Sequence, residues 1–121
     1  MEGFEHFIDY LIERGPDTGI GGHFGVRVRH WTRYYDICHF CAVKYDFVGK
    51  IESINDDADY LIQDAGIDKL VQYPHYDKAT SKDLLKQFYD PIPMHKIHDL
   101  YTVFKVDFEL FEYEIPSYII H

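Results

Sequence analysis

An α/β chain, mainly helical with one or two short strands, is the fold class that the sequence predicts. Three observations lead there. Four stretches space their apolar residues three and four apart, the period of a helix face. A single run, Val43 to Val48, alternates apolar and charged residues as a strand does. One strand leaves both edges and both faces without neighbours. The sheet it belongs to is therefore expected to be completed by other chain, and these 121 residues to be a piece of a larger domain.

The elements follow in order. Phe4, Phe7, Ile8 and Leu11 share one helix face, with Glu2 and Glu5 near the positive end of the helix dipole and Arg14 near the negative end. Gly15-Pro16 stops this helix, and five glycines between 15 and 25 predict a flexible loop. That loop is no Walker loop, and neither G-x-x-x-x-G-K-[ST] nor G-x-G-x-x-G occurs in the chain. Val43, Tyr45 and Phe47 alternate with Lys44 and Asp46 as a short strand, which Gly49 ends. Ser53 is placed to cap a helix, with Asp56 as the weaker acidic half of a capping box. Its stripe is Ile54, Ala58, Leu61, Ile62 and Ala65, and Gly66 is the stop. Residues 67–80 read as irregular. Thr80 or Ser81 opens a helix carrying Leu84, Leu85 and Phe88, closed by Asp90-Pro91. Pro93 suits a first helical position. Ile97, Leu100, Tyr101 and Phe104 share the next face, extended by Phe108 and Phe111, and the tail 115–120 is apolar and extended.

Composition excludes several function classes. With 46% hydrophobic and 27% charged residues the chain is globular rather than disordered. No apolar run approaches the ~20 residues that span a bilayer, and no signal peptide is evident, so neither a targeting segment nor direct membrane contact is expected of this stretch. A net charge of -9 argues against a nucleic-acid partner. The charge is uneven: residues 1–50 hold six Lys/Arg against seven Asp/Glu, residues 51–121 six against fourteen. Thr18 to Arg33 has no acidic residue, and with Arg27, Arg29, Arg33, His23 and His30 it forms an anion-attracting patch. Arginines decorating a surface loop are the plainer account of the same residues.

Cys38 and Cys41 form a C-x-x-C, which is open to four readings: a short disulfide, a redox pair, half a zinc site or two free thiols. The neighbouring histidines match no common zinc spacing, so no metal is assigned. Residues 33–37 make a poor thioredoxin-like context, and a structural disulfide in an oxidising compartment is the preferred reading.

His30-Trp31, then Cys38-x-x-Cys41, then Tyr45-Asp46-Phe47-Val48-Gly49-Lys50-x-Glu52, then Asp57 before a helix, resembles the Golgi carbohydrate sulfotransferases. The likeness is to the chondroitin and dermatan 4-O-sulfotransferases and the HNK-1 sulfotransferase. It extends to Phe4-Glu5-x-Phe7-Ile8-x-Tyr10-Leu11 at one end. At the other it includes Leu100-Tyr101-x-x-Phe104-Lys105-x-Asp107-Phe108 and Phe111-x-Tyr113-x-Ile115-Pro116-Ser117-Tyr118. As an ordered series the motifs are specific, although each alone is weak.

The resemblance implies the C-terminal part of a P-loop-like sulfotransferase domain over residues 1–121. The family's membrane anchor and donor-binding segments would lie before the matched region. It implies transfer of sulfate from 3′-phosphoadenosine-5′-phosphosulfate to a hydroxyl of an anionic glycan such as chondroitin, on the lumenal side of the Golgi membrane. No donor-binding residue is carried over, so no cofactor site is assigned to this chain. His30 is the best-placed base, since a neutral imidazole takes a proton near pH 7; a His-Trp pair packed near the acceptor cleft is the structural account. Trp31 is either a sugar-stacking platform or core. Arg27, Arg29 and Arg33 would pair with uronates or sulfates. Tyr45, Asp46, Gly49, Lys50 and Glu52 are expected to form a buried ion-pair network at a strand-to-helix turn. The alternatives are a catalytically incompetent fragment or acceptor-side binding module, and a small zinc or redox protein.

Overall fold

The helices start and stop where local chemistry dictates. The computed structural model describes residues 2–15, 30–76 and 81–116. Helix α1 spans Glu2–Arg14 and ends on Gly15, whose positive φ of 68° turns the chain while its N–H still reaches the Leu11 carbonyl. A short helix, α2 (Tyr34–Cys38), follows Trp31 and Arg33 and closes on His39, which sits in the left-handed region at φ 50°. A 3-10 turn over Ile51–Ser53 leads into α3 (Ile54–Asp64). Gly66, at φ 68°, reverses the chain after α3, with its N–H on the Gln63 carbonyl and that of Ile67 on the Ile62 carbonyl. Helix α4 spans Ser81–Tyr89, and α5 spans Met94–Leu110 with Pro93 at its N-cap.

The chain divides into two units, 1–44 with 85–121, and 45–84. In the first, α1 lies along α5. Ile8, Ile92 and Ile97 are buried together, and Phe4, Ile12, Tyr89 and Leu100 pack around them. The Phe4 ring meets Phe88 and Tyr89, each at 5.2 Å between centroids. Lys96, in the first turn of α5, reaches Glu5 at 2.8 Å and Asp9 at 2.7 Å on α1. In the second unit no described residue is buried.

The predicted helices at 4–14, 54–65, 81–88 and 97–111 are all present. The strand is not. Residues 43–50 run as bends and irregular backbone, and the described residues contain no strand at all. A strand exists only through its ladder, and nothing described offers backbone partners to this segment. Tyr45, Phe47 and Val48 are consequently exposed, as is much of the predicted α3 and α4 stripes, including Leu61, Leu84 and Leu85. Residues 117–120 of the apolar tail, like 77–80, lie outside the described residues.

Candidate functional site

The residues around the His-Trp pair are held by a carboxylate from the far end of the chain. Asp107, on α5, is one of the buried residues and the single buried charged one among those described. Its two oxygens accept from the backbone N–H groups of Tyr34, at 2.7 Å, and Tyr35, at 2.9 Å. These are the first two amides of α2, which no side chain of its own caps. A helix N-terminus is a ready anion site, and here the protein's own carboxylate fills it.

Arg33, immediately before α2, is paired with Asp36 one turn on, with Nε to Oδ2 at 2.7 Å. That pair draws its charge away from any external anion. His30 is exposed. Trp31 is half-buried and packs edge-on against α1, with its ring 5.4 Å from Phe7 and 6.2 Å from Tyr10. Its indole N–H is buried and has no hydrogen-bond partner among the described residues. Trp31 thus spends its ring on α1. Arg27 and Arg29 lie outside the described residues.

The expected disulfide between Cys38 and Cys41 is not formed in this structure. The Cys41 sulfur sits 3.6 Å from the Tyr35 hydroxyl, an interaction that holds the Tyr35 phenol above its ordinary pKa. Among the described residues no group of three His, Cys, Asp or Glu side chains is gathered as a metal site.

The Tyr45–Glu52 motif folds as a turn organised by Asp57. One Asp57 oxygen accepts from the Lys50 backbone N–H at 3.1 Å and from the Ser53 hydroxyl at 2.7 Å. Gly49 is required by this arrangement: a Cβ there would stand 2.9 Å from Asp57 Oδ2 and 3.2 Å from the Phe47 ring. Phe47 in turn stacks on Tyr60, at 5.7 Å. Two expectations need correcting. The network is not buried, since Tyr45, Asp46 and Glu52 are exposed and Lys50 is only half-buried, because no strand carries the segment inside. Asp57 lies within the first turn of α3 rather than before it, and Ser53 turns its hydroxyl to Asp57 instead of capping α3 itself.

Residue reasoning gave no role to either Asp57 or Asp107. Both carried a readable signal, an acidic residue inside an apolar helical stripe. Asp57 falls three after Ile54 and four before Leu61, and Asp107 falls three after Phe104 and seven after Leu100.

Comparison with known proteins connects these motifs to an enzyme group. Carbohydrate sulfotransferase 11 of Mus musculus is 36% identical over 118 residues, covering 96% of this chain and 32% of the relative. Carbohydrate sulfotransferase 10 of Gallus gallus is 33% identical, covering 98% of the chain and 34% of the relative. Carbohydrate sulfotransferase 12 of Xenopus laevis is 34% identical, over 97% and 27%. The chain thus spans about a third of the length of the curated relatives it matches. No solved structure matches it. The profile of the Sulfotransferase family matches residues 1–114, which takes in His30-Trp31, the C-x-x-C, the Gly49 turn with Asp57, and Asp107: this chain belongs to the sulfotransferase family.

Proposed function

We propose that these 121 residues are the acceptor-side part of a carbohydrate sulfotransferase. The whole enzyme would transfer sulfate from 3′-phosphoadenosine-5′-phosphosulfate to a hydroxyl of a glycan such as chondroitin, in the Golgi lumen. The observation that carries this reading is the likeness of nearly the whole chain to proteins named carbohydrate sulfotransferases. In this reading His30, exposed beside the fixed Trp31, removes the proton from the attacking hydroxyl. Arg27, Arg29 and Arg33 orient an anionic acceptor, with Arg33 released from Asp36 as the acceptor arrives. The Tyr45–Glu52 turn serves position rather than chemistry.

Three places where a phosphate grip could be sought do not offer one. Cradling a phosphate takes free backbone N–H groups. The Gly49-Lys50 turn gives its Lys50 N–H to Asp57, α2 gives its first two to Asp107, and Gly15 gives its own to Leu11. In this reading the donor is held elsewhere than at these three places.

Two measurements test the reading. Calorimetry of the 121-residue chain with 3′,5′-ADP should show no tight binding, and a micromolar dissociation constant would place a donor site here after all. In a protein that also carries the donor-binding segments, labelled sulfate should pass to desulfated chondroitin. His30→Ala should then slow transfer by about a hundredfold or more. An unchanged rate would leave His30 a packing residue.

A further inference from the structure

Asp36 is the first acidic residue after Asp17, and it closes the basic stretch where an anionic acceptor is expected. Arg33 stands three residues before it, and the two side chains meet at 2.7 Å, Nε to Oδ2. The pair is partly covered, with the Arg33 side chain 29% and the Asp36 side chain 16% exposed.

The backbone of the pair is fixed independently of it. The Arg33 carbonyl accepts from the N–H groups of Asp36 and Ile37, each at 3.1 Å. Asp107 holds the N–H groups of Tyr34 and Tyr35 between them. Opening the pair therefore asks only for a side-chain rotation. Asp36 opposes that rotation. Arg33 is the one cation paired with it among the described residues, so a departing guanidinium leaves a mostly covered carboxylate without its counter-charge. That cost draws Arg33 back.

A uronate carboxylate and the Asp36 carboxylate are the same functional group, and one Nε–H serves one of them at a time. We propose that Asp36 is an internal stand-in for the acceptor's anion, which holds Arg33 until a glycan arrives, reclaims it afterwards, and so sets how tightly the glycan is held. The proposal deepens the acceptor reading of Arg33 above and rests on it. A ligand that needs the released arginine binds more weakly in proportion to how rarely that state is populated. The reduction is the same for every anion that takes the Nε–H, so Asp36 does not choose between glycans. It limits how long any of them stays. The limit matters most for the product, which carries one sulfate more than the acceptor and is drawn more strongly to the same basic stretch.

The test is a double-mutant cycle on the 121-residue chain, read by calorimetry with a non-sulfated chondroitin tetrasaccharide as the probe. Asp36→Asn should bind the tetrasaccharide about threefold more tightly than the unaltered chain, the size expected of one partly covered ion pair. In an Arg33→Gln background the same substitution should gain much less, and what remains there is the general effect of one carboxylate fewer. The Arg33 Nε–H resonance, identified by its absence from Arg33→Gln, gives a reading that needs no change at Asp36. It should shift as the tetrasaccharide saturates the unaltered chain. Equal gains in the two backgrounds overturn the proposal, and so does saturable binding that leaves this resonance in place; either result leaves the carbohydrate reading standing. No binding by any of the four proteins overturns the proposal together with the acceptor role of Arg33.

Discussion

Asp107 shows how much one buried carboxylate can hold. Two backbone donors of α2 depend on it, and it is 8% exposed, so its removal leaves those amides in a poorly hydrated place. Asp107→Ala should lower stability by about 2–3 kcal/mol, the sum of a lost cap and two unmet donors. Asp107→Asn, which keeps one good acceptor, should recover part of that. Urea unfolding of the three proteins measures it, and a loss no larger than that of an exposed α5 residue such as Thr102→Ala would remove the clamp from the account. Asp57 works the same way at shorter range, and it makes Gly49 obligatory. The glycine was legible as a backbone requirement from its place after the alternating run. The carboxylate that imposes the requirement was not. Charge within an apolar stripe is read first as solvent exposure, and only the fold shows which amides it reaches.

At the scale of elements, α1 and α5 are joined by a core of isoleucines and by Lys96 bridging Glu5 and Asp9. The hydrogen bonds to Asp9 and then Glu5 hold the Lys96 ammonium above its ordinary value of 10.5. A raised lysine pKa stabilises the fold fully below the unfolded value of about 10.4, and that contribution disappears as pH climbs through the raised one. The melting temperature of the protein should therefore exceed that of Lys96→Met at neutral pH, and the gap should close above about pH 10.5. A gap that stays constant to pH 12 would show that the pair does not contribute through its charge. Tyr35 titrates in the same direction and is common to both proteins, so the difference between them isolates Lys96. The ends of α1, α3 and α4 and the start of α5 were legible because each carries a local signal: Gly15, Gly66, Asp90-Pro91, and Pro93 ahead of α5. Helix α2 was not, since five residues without an apolar period give no such signal, and its cap comes from elsewhere. The alternation at 43–48 was real, but a strand is a property of two segments and the sequence displays one at a time.

At the scale of the molecule, the two units differ in how much they bury. Ile8, Leu11, Ile92 and Ile97 all belong to the first, while the described part of 45–84 leaves Ile51 at 71% and Leu70 at 81% exposure. Apolar surface of that kind favours association, and a charge of -9 opposes it at low salt. Size-exclusion chromatography of the chain should show oligomers growing as salt is raised. A sharp monomer at both low and high salt, with one cooperative melting transition, would mean that the second unit is adequately covered within these residues. The family membership and the helical character were legible from ordered motifs and periods. The lack of burial was not, because periodicity marks a face as apolar without saying what will lie against it.

The distance between Asp107 and the amides it caps has a consequence for how the protein is made. Those partners stand 72 and 73 residues apart along the chain. An isolated five-residue helix does not persist in water, since nucleation alone outweighs so few hydrogen bonds. During synthesis, at about 5–20 residues per second, α2 and the adjoining Arg33 emerge several seconds before the carboxylate that fixes them. The His30–Arg33 region therefore takes its final geometry only after α5 has left the ribosome. A stop codon anywhere between Cys41 and Asp107 would yield a product containing every residue of the HW and C-x-x-C motifs and lacking their arrangement.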